Sequence, residues 1–271
     1  MYNLLVGVFM IDYLMNLNPV LQAFIASMFT YLFTIMGSAL VFPFKNVNRN
    51  VMDALLAGSS GLMLAASFFS LLMPAIDVSK EIGFIPWAIV SLGVIIGGLL
   101  LFITDRISQK YLKDYPNASA KKRTLMLLFS ITVHNIPEGM VVGVAFASIG
   151  VSSMTFVGAC ILTLGIAIQN FPEGSALSIP MRRDGMNTKK AFFLGQISGI
   201  VEPIAGVLGA LIVINLKCIL PIALSFAAGA MIYVVVEELI PESQTNKRKD
   251  LMALFTILGF ILMMVLDISL G

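Results

Sequence analysis

The chain has 271 residues, of which 58% are hydrophobic and 12% charged, with a formal net charge of +2. An ordinary soluble domain carries about 25% charged residues, so a water-soluble globular fold is excluded. The two cysteines, Cys160 and Cys218, lie in or beside apolar runs without CxxC spacing, which excludes a thiolate metal site or a disulfide framework and leaves them as small packing residues.

Residues 4 to 17 form a short apolar stretch broken by Asp12, and no basic segment follows Met1. A cleaved signal peptide is therefore not expected, and the stretch reads as an interfacial or partial helix. From there, apolar runs between charged breaks predict spans at 20 to 43, 51 to 74, 84 to 105, 124 to 149, 152 to 179, 189 to 214, 218 to 241 and 251 to 270. Each is about as long as a helix needs to cross a hydrocarbon core of roughly 30 Å. Pro43, Pro74, Pro180 and Pro241 are expected to close helices, and Pro19 to open one. The fold class is thus an all-α integral membrane protein of eight transmembrane helices, one polytopic domain over 1–271 with a longer loop at about 106–123.

Lysine and arginine collect in short cytoplasmic loops, and their distribution tests the span count. Fifteen of the 17 basic residues fall on one side: Lys45 and Arg49, six between Arg106 and Arg123, four between Arg182 and Lys190, and Lys247 to Lys249. The other side holds Lys80 and Lys217. Both termini are therefore expected to face outward from a multi-pass protein of the cell (inner) membrane. No lysine or arginine falls well inside a span, so a buried carboxylate has no basic partner.

Two stretches resemble each other: His134-Asn135-Ile136-Pro137-Glu138-Gly139 in the fourth span and Gln169-Asn170-Phe171-Pro172-Glu173-Gly174 in the fifth, offset by 35 residues. Consecutive spans run antiparallel, so the copies approach mid-membrane from opposite sides, as repeated elements do around a midplane site. Spacing of i and i+4 sets His134 over Glu138 and Gln169 over Glu173, with Asn135 and Asn170 beside them at i+3. Pro137 and Pro172 remove helical hydrogen bonds at the carbonyls of Val133 and Ile168, where the ligands gather. Glu202-Pro203 in the sixth span repeats the theme. Each charge at mid-depth costs about 2.5–3.5 kcal/mol, and with no buried base the offset must come from protonation, water or a bound cation. Imidazole with carboxylate and amide oxygens suits zinc and neighbouring first-row divalent ions.

A lone buried glutamate is readily explained as a protonated structural group, but three, two of them in a duplicated motif with the chain's single histidine, favour a ligand site. Glu237 and Glu238 read equally as exit-path groups or interface residues. Asp53, Asp105 and Asp267 sit at span ends, where solvation accounts for them, and composition alone makes Met63 a packing residue. The pairs Gly93/Gly97, Gly139/Gly143 and Gly195/Gly199 fit close helix packing. An intramembrane metalloprotease would need HExxH or a second histidine, and an anion carrier a buried base, so an enzyme is not expected. A selective metal channel and a proton-coupled carrier of a small organic substrate stay open beside a metal carrier. The chain has no P-loop, so flux follows the metal gradient or a coupled ion.

At these two motifs the sequence closely resembles the ZIP (Zrt-/Irt-like) family of metal transporters, in particular its GufA-like prokaryotic branch. The resemblance runs through Met63 to Ser70, Gly195 to Gly199 with Glu202-Pro203, and Glu237 to Pro241. It implies a ZIP-type bundle with proline-broken helices four and five and a binuclear centre at the midplane, filled from outside and emptied inward by alternating access. One site would use Met63, His134, Glu138, Gln169 and Glu173; the adjoining one Asn135, Asn170 and Glu202, with Glu138 and Glu173 bridging. Ser70 would line the outer approach and Glu238 the inner one, and on this reading the ion leaves inward past Glu237 and Glu238. The implied cargo is Zn2+, with Cd2+, Fe2+ and Mn2+ as further candidates; the implied partners are that ion, the lipid bilayer and, at most, a second copy in a homodimer. Gln169 stands where many members carry histidine, a stronger ligand, and Asn170 where some carry aspartate. The loop at about 106–123 contains no histidine, so metal sensing there is not expected.

Overall fold

The computed structural model describes residues 13–44, 48–113, 119–152, 154–183, 185–215 and 217–270, with the side chains of part of 108–134 and of 217 and 270 outside the description. Most of the stretch at 4 to 17 therefore lies outside the described residues. The longer loop expected at about 106–123 is mostly helix instead: one helix runs on to Lys113 and the next begins at Ser119, so only 114–118 of it lie outside the described residues. Lys, Arg and Gln are good helix formers and extend both spans beyond their apolar runs. Among the described residues there is no strand, and eight long helical rods follow one another. They are α1 Pro19–Ala39, α2 Arg49–Glu81, α3 Pro86–Lys113, α4 Ser119–Ala147, α5 Phe156–Arg183, α6 Thr188–Asn215, α7 Leu220–Gln244 and α8 Lys249–Leu270. Seven are long and apolar enough to cross a membrane, and α4 contributes the shorter apolar stretch Ile131–Ala147.

Local chemistry sets the ends. Asn18, Asn48 and Asn187 cap α1, α2 and α6 by accepting from the backbone N–H two residues on. Proline behaves differently from expectation: α2 continues past Pro74 to Glu81, α5 past Pro180 to Arg183, and α7 past Pro241 to Gln244. In α2 and α7 the reason is a π-helical turn, Ser67–Leu72 and Val235–Leu239, just before the proline. The wider turn shifts the hydrogen-bond register where proline has no N–H to give, and the helix goes on. Helices α4 and α5 likewise stay helical through Pro137 and Pro172, so what the prolines break is the hydrogen-bond ladder.

Four close pairs build the bundle: α4 on α6, α3 on α7, α1 on α5 and α2 on α8. Exchanging α1 with α6, α2 with α7, α3 with α8 and α4 with α5 carries these pairs onto one another, and carries the contact of α2 with α5 onto that of α7 with α4. The two π turns exchange as well. This is the signature of an inverted repeat about the α4–α5 pair, as the duplicated motif implied. The predicted glycine pairs lie at the crossings: a Cβ on Gly143 would fall 1.9 Å from the carbonyl oxygen of Gly206, and one on Gly97 2.0 Å from that of Phe226.

The basic residues gather at one end, where bonds between helix ends lock the bundle. Arg182 donates to the carbonyls of Val41 and Phe42, and Arg49 to Thr245 at 2.7 Å. Asp53 is not solvated as its place at a span end suggested: it is 3% exposed, accepts from Asn246 at 2.7 Å and pairs with Arg49 at 3.5 Å. Asp105 and Asp267 also have partners, Tyr233 at 3.2 Å and Ser70 at 2.8 Å. Cys160 and Cys218 lie exposed at the surface of the bundle and not in its core.

Candidate metal site

The two motifs meet where α4, α5, α6 and α1 converge. Glu138, Glu202, Asn135, Gln169 and Asn170 are buried to 1% exposure or less, and Glu173 keeps 7%. The carboxylates of Glu138, Glu173 and Glu202 lie within Coulombic reach of one another, and Glu238 within reach of Glu173. No lysine or arginine is buried among the described residues.

The hydrogen bonds sort these groups into two halves. Gln169 Nε2 donates to Glu138 Oε1 at 2.8 Å, joining the first position of one motif to the glutamate of the other. Asn170 Nδ2 donates to Glu202 Oε2 at 2.7 Å and to the Thr30 carbonyl at 3.4 Å, so both its N–H groups are spent. Thr30 Oγ1 lies 2.5 Å from Glu202 Oε2 and Thr34 Oγ1 3.3 Å from Oε1, each donating. Glu202 is thereby held by three donors.

What remains is a set of acceptors. Among the described residues, Glu138 Oε2, Asn135 Oδ1 and Asn170 Oδ1 are fully buried without a hydrogen-bond partner. Leaving such an atom unsatisfied costs about 1–3 kcal/mol, and all three are oxygens that only a donor or a cation can satisfy. A fourth unpartnered atom, Ser178 Oγ, lies further along α5 near Gly195. In Asn170 the amide nitrogen is used within the protein and the oxygen is left over, which suits a positive ion.

Other predicted residues fall around this cluster. Met63 is fully buried on α2, which packs against α5. His134 belongs to α4, but its side chain lies outside the described residues. Ser70 is buried in the π turn of α2 and bonded to Asp267 of α8. Glu237 is exposed and Glu238 half-buried in the π turn of α7. Among the described residues no three His, Cys, Asp or Glu side chains form a ready cage, because amides stand between the carboxylates.

The sequence reading missed Thr30 and Thr34. The signal was there: Ser27, Thr30, Thr34 and Ser38 recur at i+3 and i+4 along an apolar span, a polar stripe on one helix face, and all four are buried. Hydrogen bonds to a charged group contribute about 1.5–3 kcal/mol. Thr30→Val should therefore lower the stability of the purified protein in detergent by about that amount, whereas Thr30→Ser should retain most of it; thermal unfolding of the two variants side by side is the measurement.

An all-helical bundle that buries three carboxylates and a set of unpaired oxygens where two inverted copies of one motif meet belongs to the class of multi-span membrane transporters. Residues 114–267 match the family model described as ZIP zinc transporter. The chain is 35% identical to zinc transporter ZIP11 of Xenopus tropicalis, over 94% of this chain and 98% of that protein. It is 34% identical to zinc transporter ZIPB of Bordetella bronchiseptica, over 88% of this chain and 78% of the relative, and 34% identical to zinc transporter GufA of Myxococcus xanthus, over 75% and 81%. The chain belongs to the ZIP zinc transporter family, a family of transporters and not of enzymes.

Proposed function

We propose that this protein carries divalent transition-metal ions, zinc first among them, into the cytoplasm through a site at the middle of the membrane. The observation that carries this reading is the trio of buried, unpartnered oxygens on Glu138, Asn135 and Asn170, set beside three buried carboxylates. A cation satisfies all of them at once and offsets the buried carboxylates as well, which a neutral donor does not and an anionic solute opposes. The names of the relatives, zinc transporters in vertebrates and bacteria, support zinc as the cargo; Fe2+ shares its taste for imidazole, Mn2+ suits the carboxylate and amide oxygens, and Cd2+ is a softer candidate.

In this reading the whole chain works as one polytopic domain of eight spans. Met63, His134, Glu138, Gln169 and Glu173 form the first of two adjoining ion positions; Asn135, Asn170 and Glu202 form the second, with Glu138 and Glu173 shared. Glu173, the least buried of the three glutamates, takes the ion first. Ser70 lies on the outer approach, and Glu238, within electrostatic reach of Glu173, receives the ion on the inner side beside Glu237. The termini face outward, and access alternates as α4 and α5 move with their ligands, and α1 and α6 with them, against the remaining helices. The bonded contacts of α1 and α6 with Asn170 and Glu202 imply that those two helices travel with the site.

The test is ion influx into proteoliposomes, comparing zinc with cadmium, iron(II), manganese and magnesium. Influx of zinc or cadmium that saturates in the micromolar range, with magnesium excluded, is expected. Flux that rises linearly without saturation would favour a channel, and no divalent influx from well-folded protein would overturn the reading.

A further inference from the structure

Helices α2, α5 and α8 leave between them an apolar groove of about 570 Å³ that the metal site does not use. It opens at the basic end of the bundle between Asn50 and Arg248, passes Leu55 and Phe255, and ends against Ile168 and Pro172 of α5. Its wall on α2 runs from Asn50 to Leu62, about 18 Å at the helical rise of 1.5 Å per residue. That is close to half of a hydrocarbon core of roughly 30 Å, the depth of one leaflet.

The mouth is cationic. Arg248 is exposed, its backbone N–H bonds to Asn246 Oδ1 at 2.8 Å, and its guanidinium makes no ion pair among the described residues. Lys247 and Lys249 flank it, and these three consecutive cations outnumber the exposed acid Asp250 that follows. Arg49, across the mouth, is already engaged with Asp53 and Thr245. An apolar slot one leaflet deep that ends in a free guanidinium at the membrane surface matches a lipid with an anionic headgroup.

We propose that this groove is a binding site for an anionic phospholipid, with one acyl chain lying between α2 and α8 and its phosphate at Arg248. A symmetric contact with a second copy would set the Lys247 to Lys249 cluster of one protomer near the same patch of its partner, which like-charge repulsion opposes. The chain packs over Ile168 and Pro172, the turn of α5 that leads to Glu173. The inference rests on the chain's place in a bilayer and not on the transport reading.

Trp87, 76% exposed on α3, is the single tryptophan of the chain. With Trp87→Phe as background, Phe255→Trp places a fluorophore in the groove, and Ile95→Trp, at a site 56% exposed on α3, places one on a lipid-facing surface outside it. Each is reconstituted in phosphatidylcholine vesicles containing brominated phosphatidylglycerol or brominated phosphatidylcholine, and quenching gives the relative association of the two lipids. The groove reporter is expected to favour phosphatidylglycerol at least threefold and to lose that preference with Arg248→Ala, while the Ile95→Trp reporter shows none. Equal association at the groove, a preference that survives Arg248→Ala, or a groove reporter that neither lipid quenches would each overturn the proposal, the last by pointing to a second protein copy as occupant. Leu251→Trp, in the same groove, replaces Phe255→Trp if the latter fails to fold.

Discussion

Replacing Glu173 by alanine should reduce saturable zinc influx at least tenfold while leaving the protein folded in the membrane, and Glu138→Ala should do the same. The two substitutions act through different losses. Glu138 accepts from Gln169 through one oxygen and leaves the other free, so its removal takes away a ligand and also strands the Gln169 amide. Glu173 is buried to 7% exposure on α5, within reach of the charges on Glu138 and Glu202. Its loss removes one of three clustered carboxyl groups, each of which costs about 2.5–3.5 kcal/mol when charged at mid-membrane depth. The empty Glu173→Ala protein is therefore expected to be at least as stable as wild type, yet blind to its cargo. A ligand at 100 times its dissociation constant stabilises a protein by about 2.7 kcal/mol. Zinc should raise the melting temperature of the wild type, and the same zinc should leave Glu173→Ala unmoved. Retained influx in both alanine variants would mean that the shared carboxylates are not where the ion binds.

Much of this site was legible before any coordinates, because membrane chemistry penalises polar groups so heavily that each one left in a span stands out. The glutamates, asparagines and prolines of the two motifs and Glu202-Pro203 could be found that way, and their meeting is what the helix contacts deliver. The spans were legible for the same reason, with rod positions displaced by a few residues at most ends. What was not legible follows from register and partnership. The π turns that carry α2 and α7 past Pro74 and Pro241 add one residue to a helix turn and leave no mark in hydropathy. Thr30 and Thr34 are ordinary in a span until Glu202 is set opposite them. Asp53 was read as solvated because a sequence shows that a carboxylate is near a span end, and not that the α7–α8 connection folds over it through Asn246. The split of Asn170 into a spent nitrogen and a free oxygen is likewise a three-dimensional fact.

Gly143→Val is expected to have the largest effect on the fold. A Cβ at that position would sit 1.9 Å from the Gly206 carbonyl oxygen and 2.9 Å from the Ala210 nitrogen. These are helix backbone atoms that cannot swing aside as a side chain does, so α4 and α6 must separate. Overpacking where side chains can adjust costs typically 1–3 kcal/mol, and a clash against backbone should exceed about 3 kcal/mol. The measurement is the yield of monodisperse protein and its melting temperature in detergent. Gly98→Ala serves as the control, because a Cβ there would lie 3.8 Å from its nearest neighbour, the Gly229 carbonyl oxygen, an ordinary contact. Gly97→Val, with 2.0 Å to the Phe226 carbonyl oxygen, should be as disruptive to the α3–α7 pair. The two clashes differ in what they disturb. Helix α4 carries Asn135 and Glu138 and α6 carries Glu202, so whatever Gly143→Val protein survives purification should have lost its zinc-induced stabilisation. The surviving Gly97→Val protein, with α4, α5 and α6 still in contact, should keep part of it. If both lost the zinc response equally, the site would depend on the whole bundle and not on the glycine-set approach of α4 to α6.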